Sequence, residues 1–172
     1  MRNGAIAATV LTAAAALTAC GADADPEAAR AAHRAHLAEG RALHERGDPA
    51  GAVRQAARAL VALPTEPLSY GLVSRLYVEL DDDETAIGFF ELIARDHGEL
   101  AEPWHYKGFH EFRLGRWEDA LRSFAKAEAI APDDPGNAFR QGLVLQAMGD
   151  FDGARRDVAG RRHRRPRLDR RR

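Results

Sequence analysis

Small and apolar residues recur along this chain on a beat of 34 positions. Ala52, Ala86, Ala120 and Ala154 fall on it, as do Phe90 and Phe124, followed by Val158. Gly40, Gly108 and Gly142 keep the same spacing, with Ser74 in the missing slot. Gly47, Gly115 and Gly149 form a third series in which Asp81 replaces glycine. Pro64 and Pro132 form a fourth, with Gly98 between them. A period of 34 without insertion predicts a helical solenoid, each unit being one hairpin of helices stacked on the next. Small residues such as Gly108 and Ala120 let two antiparallel helices approach closely, where a larger side chain would clash. Gly47, Gly115 and Gly149 sit where the first helix of a unit must stop, since glycine enters the left-handed cap cheaply. Pro64 and Pro132 end the second helix by removing a donor and crowding the preceding turn. Asp25-Pro26 and Asp134-Pro135 read as an N-cap followed by a first-turn proline. The pattern predicts an all-α solenoid over residues 26–158, with units at 33–66, 67–100 and 101–134 and a partial unit at 135–158. A helical start near Pro26 lengthens the first helix.

The unit from Ala101 to Asp134 carries Trp104, Gly108, Gly115, Trp117, Ala120, Phe124, Ala127 and Pro132. In order and spacing these residues resemble the tetratricopeptide repeat, TPR. The unit departs at Lys107 and Glu111, where the family favours Leu and Tyr; Tyr77 keeps the aromatic in the preceding unit. The resemblance spans residues 33–154 and implies a TPR-type helical-hairpin solenoid of about 3.5 repeats. It also implies that Trp104, Trp117, Phe90 and Phe124 fill seams between helices.

In this family the first helices of successive units line a concave groove for a peptide or a partner's helix, so residues 34 apart become neighbours. One row then runs Arg41, Arg75, Phe109, Leu143, and the adjoining row Leu37, Gly71, His105, Phe139. The candidate groove residues are Arg41, Arg75, His105, Phe109, Phe112 and Phe139. Such a groove is basic in its N-terminal half and aromatic in its C-terminal half, with Gly71 leaving a gap for a partner side chain. It suits an acidic or C-terminal carboxylate beside an apolar anchor. Glu45 and Glu79 lie four residues after Arg41 and Arg75 and offer each arginine a partner along its own helix instead. The family's carboxylate clamps use Lys and Asn, which these rows lack.

The N-terminus reads as an address. Met1-Arg2-Asn3 is a short positive start, and Ala5 to Leu17 is an apolar, Ala-rich run too short to span a bilayer. The run ends in Leu17-Thr18-Ala19-Cys20-Gly21, which resembles the lipobox of bacterial lipoproteins. That resemblance implies a signal peptide over residues 1–19, cleavage after Ala19, acylation of Cys20 and a tether over residues 20–25. An ordinary secretory leader with a chance cysteine is the alternative. Two or more acyl chains give stable anchoring, at about 0.8 kcal/mol per buried CH₂. Gly21 after the cysteine favours the outer membrane in a two-membrane bacterium, by the family's sorting tendency.

Charge adds an asymmetry. The net charge of −1 combines ten Arg against Asp157 and Asp169 from Arg155 to Arg172 with an acidic remainder. An acidic body argues against a nucleic-acid groove. The Arg-rich stretch 159–172 is expected to be a disordered basic tail. A lipid-binding patch and an out-of-frame or truncated end of a GC-rich coding sequence are the other readings.

Chemistry is sparse. The single cysteine excludes an internal disulfide and a multi-Cys metal site. The seven His, including the pairs His33/His36 and His105/His110, lack a third ligand at motif spacing and read as surface imidazoles. Asp81-Asp82-Asp83-Glu84 lacks the ligand spacing and turn glycine of a calcium loop and reads as a solvated turn. No phosphate-cradling loop or nucleophile elbow occurs, so neither enzyme activity, cofactor nor metal is expected. The sequence thus points to a lipid-anchored scaffold for protein–protein interactions in the bacterial cell envelope. The alternative is an accessory domain of an envelope peptidoglycan or peptide hydrolase, or a weak hydrolase itself.

Overall fold

The computed structural model describes residues 25–149. The leader, Cys20, the Arg-rich tail and the second helix expected in the last unit lie outside the described residues. Among those described the chain forms seven α-helices and no strand. They are α1 (Pro26–Glu45), α2 (Pro49–Ala62), α3 (Pro67–Glu79), α4 (Asp83–Asp96), α5 (Glu102–Arg113), α6 (Trp117–Ile130) and α7 (Pro135–Ala147). Helices α1/α2, α3/α4 and α5/α6 are hairpins, and α7 packs against α6.

Short polar devices set the helix ends. Asp25, Asp48, Asp82 and Asp134 each accept a bond from a backbone N–H of the helix they precede, which removes one unsatisfied donor. Three of the four are followed by proline at the first helical position. At the end of α1, Gly47 has φ +78°; its N–H donates to His44 O at 2.9 Å and Asp48 N–H to Leu43 O at 2.9 Å. This paired closure recurs after α5, through Gly115 and Arg116. It also recurs after α3, where Asp81 takes φ 52° in place of glycine. Asp is among the few non-glycine residues that visit this region readily.

Two core clusters follow from the repeat. The first joins α2, α3 and α4 through residues such as Val53, Leu60, Tyr70, Val73, Tyr77 and Phe90. The second centres on Ala120, Phe124 and Val144, with Phe109, Phe112 and Trp117 against it. Trp104 departs from the expected seam packing. It is half-buried outside both clusters, with Lys126 Nζ 3.9 Å from its ring centroid, a cation–π arrangement.

The hairpins are not equally tight. A Cβ at Gly108 would sit 2.9 Å from Phe124 Cε1, and one at Gly40 3.4 Å from Ala52 O, so both glycines mark close helix crossings. Ser74 occupies the equivalent slot in the middle hairpin, and there α3 and α4 approach each other less closely. Aromatic rings fill the wider seam: Tyr70 stacks with Phe90 at 6.1 Å and Tyr77 lies 6.3 Å from Phe89. The two departures from the family pattern in α5 compensate each other. Lys107 Nζ lies 3.0 Å from Glu111 Oε1, and Ser123 of α6 donates to Glu111 Oε2 at 2.6 Å. A buried carboxylate is tolerable when paired and hydrogen-bonded in this way.

The glycines give a two-sided prediction. Gly108→Ala should destabilise the chain by roughly 1–3 kcal/mol, since the stiff ring of Phe124 must move. Gly88→Ala, in the middle of α4 with nothing within 4 Å of its added Cβ, should stabilise by about 0.5–1 kcal/mol through helix propensity. Urea unfolding of both variants checks the pair, and equal stabilities would contradict the close crossing at Gly108.

Candidate functional site

The first helices of the hairpins do not lie evenly spaced. Gly40 lets α1 settle deeply on α2, while Ser74, in the equivalent slot of α3, bonds His110 of α5 at 2.9 Å. Helix α3 therefore leans on α5, and α1 and α3 are left apart. The result is a cleft of about 630 Å³ between α1 and α3. Leu37, Leu68 and Leu72 supply apolar surface, Gly40 and Gly71 leave room, and Arg41 and Arg75 line the same space. Leu68 is 83% exposed, so the cleft has an apolar lip. Its volume falls in the range of ordinary ligand and peptide-anchor pockets.

Two imidazoles bridge α1 to α3 along this cleft. His33 Nε2 is 2.8 Å from Ser69 Oγ in a buried contact, and His44 Nε2 is 2.9 Å from Glu79 Oε2 in an exposed one. The second bond removes the partner expected for Arg75. Among the described residues neither Arg41 nor Arg75 forms an ion pair, and the Arg41–Glu45 and Arg75–Glu79 pairs anticipated along the helices are not made. Both guanidiniums are exposed. Glu45 and Glu66 also line the cleft, so its rim is mixed in charge rather than uniformly basic.

The remaining predicted groove residues are arranged differently. His105 is bonded through Nδ1 to Asn137 Oδ1 at 2.9 Å and holds α7 against α5. Burial first of all lowers its pKa, with the Asn137 bond opposing. Phe109 and Phe112 are half-buried against the second core cluster. Phe139 is 62% exposed on α7. The gap expected at Gly71 is partly filled, because a Cβ there would meet Tyr106 Oη at 3.1 Å. The structure thus brings Arg41 and Arg75 together in one cleft and leaves Phe139 as a separate apolar projection.

The histidines correct the surface reading. His110 is fully buried and His33 nearly so, and His33, His44, His105 and His110 each bond a neighbouring first helix. Their partners lie 36, 35, 32 and 36 residues away, one repeat period plus or minus two. Searching for polar partners of each histidine one period away would have found these bonds.

The acidic turn is also not simply solvated. Asp82 caps α4, and Glu84 pairs with Arg116 at 3.0 Å. Asp83 is buried, accepting from Arg113 Nε at 2.9 Å and from His110 Nδ1 at 2.5 Å. Ser74, His110 and Asp83 therefore share the connectivity of a hydrolase triad. His110 is 0% and Ser74 3% exposed, so no carbonyl carbon can approach Oγ. The chain of bonds is a strut. Among the described residues no three His, Cys, Asp or Glu side chains converge on a metal-sized site. No described helix is long and apolar enough to cross a membrane.

Residues 101–134 match the family model for the tetratricopeptide repeat. No curated protein sequence matches the chain. Among solved structures, MamA from Desulfovibrio magneticus RS-1 is 15% identical, with a TM-score of 0.58 over 78% of each chain. A thermophilic TPR protein of Thermus thermophilus is 20% identical, with a TM-score of 0.57 over 74% of this chain and 71% of its own. The first TPR of Spaghetti (RPAP3), bound to the HSP90 peptide SRMEEVD, is 16% identical, with a TM-score of 0.55 over 75% of this chain and 99% of its own. The chain has the all-α helical-hairpin solenoid fold of tetratricopeptide-repeat proteins.

Proposed function

We propose that this chain is an interaction scaffold of the bacterial cell envelope, held on a membrane by lipid at Cys20 and binding a segment of a partner protein. The observation that carries the binding reading is the pair of exposed, unpaired guanidiniums of Arg41 and Arg75 in the α1–α3 cleft, beside Leu37, Leu68 and Leu72. A guanidinium with no carboxylate of its own is free to take one from a ligand, and its planar fork favours bidentate contact. The leucines offer the apolar anchor such a segment needs. A protein of similar fold is bound to the acidic peptide SRMEEVD, which supports an extended acidic segment as the occupant. Phe139, exposed on α7, offers a separate apolar contact outside the cleft, and His105 positions that helix, while Phe109 and Phe112 serve the second core cluster. The envelope reading rests on the Leu17-Thr18-Ala19-Cys20 junction. The triad-like connectivity inside the fold does not favour a hydrolase, because it is sealed from substrate.

Two measurements test the reading. Acidic peptides with an apolar residue near the C-terminus should bind the wild type, and Arg41→Ala/Arg75→Ala should weaken binding about 10-fold, from loss of two solvent-exposed charge-assisted contacts worth roughly 0.5–1 kcal/mol each. Fluorescence titration of the folded variants reads this, and unchanged affinity removes the cleft from the account. In cells, Cys20→Ser should move the protein from the membrane fraction to the soluble fraction. A wild-type Cys20 found unmodified by intact-mass analysis overturns the anchor.

A further inference from the structure

The bonded chain Ser74–His110–Asp83–Arg113 joins α3, α4 and α5 and is, beside the exposed Glu84–Arg116 pair, a polar junction between the second and third hairpins. The imidazole lies between Phe90, stacked at 5.7 Å, and Tyr77, edge-on at 6.4 Å. The titratable and charged groups facing it are Tyr77 from α3, Asp83 from α4 and Arg113 from its own helix. Burial pushes the Tyr77 phenol up, so it stays neutral. No hydrogen bond or ion pair joins α6 to His110 among the described residues; on that side Glu111 is held by Lys107 and Ser123.

The bonding fixes the proton. An ionised carboxylate only accepts, so the hydrogen toward Asp83 must reside on His110 Nδ1. Nε2 then keeps its lone pair and accepts the Ser74 hydroxyl. In this form Asp83 and Arg113 balance each other and the ring adds no charge. A second proton on Nε2 makes the buried cluster cationic and reverses the bond to Ser74, whose hydroxyl hydrogen must find another acceptor. The added charge is costly at a fully buried ring, while the Ser74 hydroxyl can turn to a carbonyl of its own helix.

We propose that this chain of bonds is an acid-operated latch: protonation of His110 below neutral pH reverses its bond to Ser74, places a net positive charge in the junction and loosens α3 from α5. Burial is the foremost cause holding the His110 imidazole below its ordinary value, opposed by the bond to and charge of Asp83. A histidine whose folded value lies below its unfolded value of about 6.5 leaves the folded state with fewer protons than the unfolded one. The stability it confers is complete above that unfolded value and is lost as pH falls from there toward the folded value. His105, whose pKa is lowered likewise, acts in the same sense on the α5–α7 contact. Helix α3 also forms one wall of the α1–α3 cleft, so the latch sets the shape of that wall whatever occupies it.

The test uses the full chain. Nitrogen-15 NMR of histidine-labelled protein should show His110 with its hydrogen on Nδ1 at pH 7.5 and a titration midpoint below 6.5. Amide exchange, corrected for its intrinsic pH dependence, should rise in α3 and α5 before α1 and α2 as pH falls from 7 to 5. The unfolding constant in urea should rise by up to about tenfold per pH unit for each proton the unfolded chain takes up in excess. His110→Gln, which keeps polar contacts but cannot titrate, should flatten that slope by up to one proton. A midpoint at or above 6.5, or a hydrogen on Nε2 at pH 7.5, overturns the latch. Acid-induced exchange spread evenly over all helices overturns it too. The NMR and exchange measurements are made on the wild type, so they decide the matter even if the variant does not fold. Ser74→Ala, which leaves the imidazole on Asp83, should exchange in α3 at pH 7 as the wild type does only at lower pH.

Discussion

A carboxylate buried between helical hairpins cannot stand alone, and Asp83 organises its neighbours for that reason. It sits at the first position of α4, 5% exposed, and takes bonds from Arg113 and His110 of the next hairpin. Leaving such a charge unpaired costs several kcal/mol, so the third hairpin has to present those two donors at that point. His110 in turn captures Ser74, which ties α3 to α5 while α1 and α3 stay apart. The open cleft on the α1 side follows from this choice. Gly40 at the first crossing completes it by letting α1 sink onto α2.

The same logic explains why the middle hairpin differs from its neighbours. A glycine in the Ser74 slot would permit the close crossing seen at Gly108 against Phe124. With a hydroxyl there, and Tyr70 and Tyr77 on the same helix, the seam is filled by rings instead of by backbone approach. Close packing does not require every unit to use the same means, only that no void remains. In the third hairpin an ionic contact adds to the close crossing at Gly108: Lys107 and Glu111 stand where the family favours Leu and Tyr, and Ser123 bonds Glu111.

Much of the fold was legible because helical punctuation is local. Positive φ at Gly47, Gly115 and Gly149, and at Asp81 in the glycine slot, follows from the short-range geometry of a helix end. The Asp-Pro starts are equally local. The site was less legible because its chemistry lies one period away. Arg41 and Arg75 both line the α1–α3 cleft, but the carboxylate of Glu79, four residues after Arg75, is bonded instead by His44 reaching across from α1. Judged along its own helix, His110 looks like a surface imidazole. Only the juxtaposition of Ser74, Asp83 and Arg113 from three helices reveals a buried ring. Gly71 shows the same limit, since the space it leaves is claimed by Tyr106, 35 residues later in the chain.

The most direct test of this account is a double-mutant cycle on Asp83 and Arg113 in the full chain, read by urea unfolding at neutral pH. Arg113→Ala alone leaves a buried carboxylate without its counter-charge, and because Arg113 is itself partly exposed and His110 still bonds Asp83, the cost should be about 1–3 kcal/mol. Asp83→Asn/Arg113→Ala should be more stable than the sum of the single changes predicts, with a coupling of about 1–3 kcal/mol. Additive effects would contradict the claim that the Asp83 charge holds the second and third hairpins together.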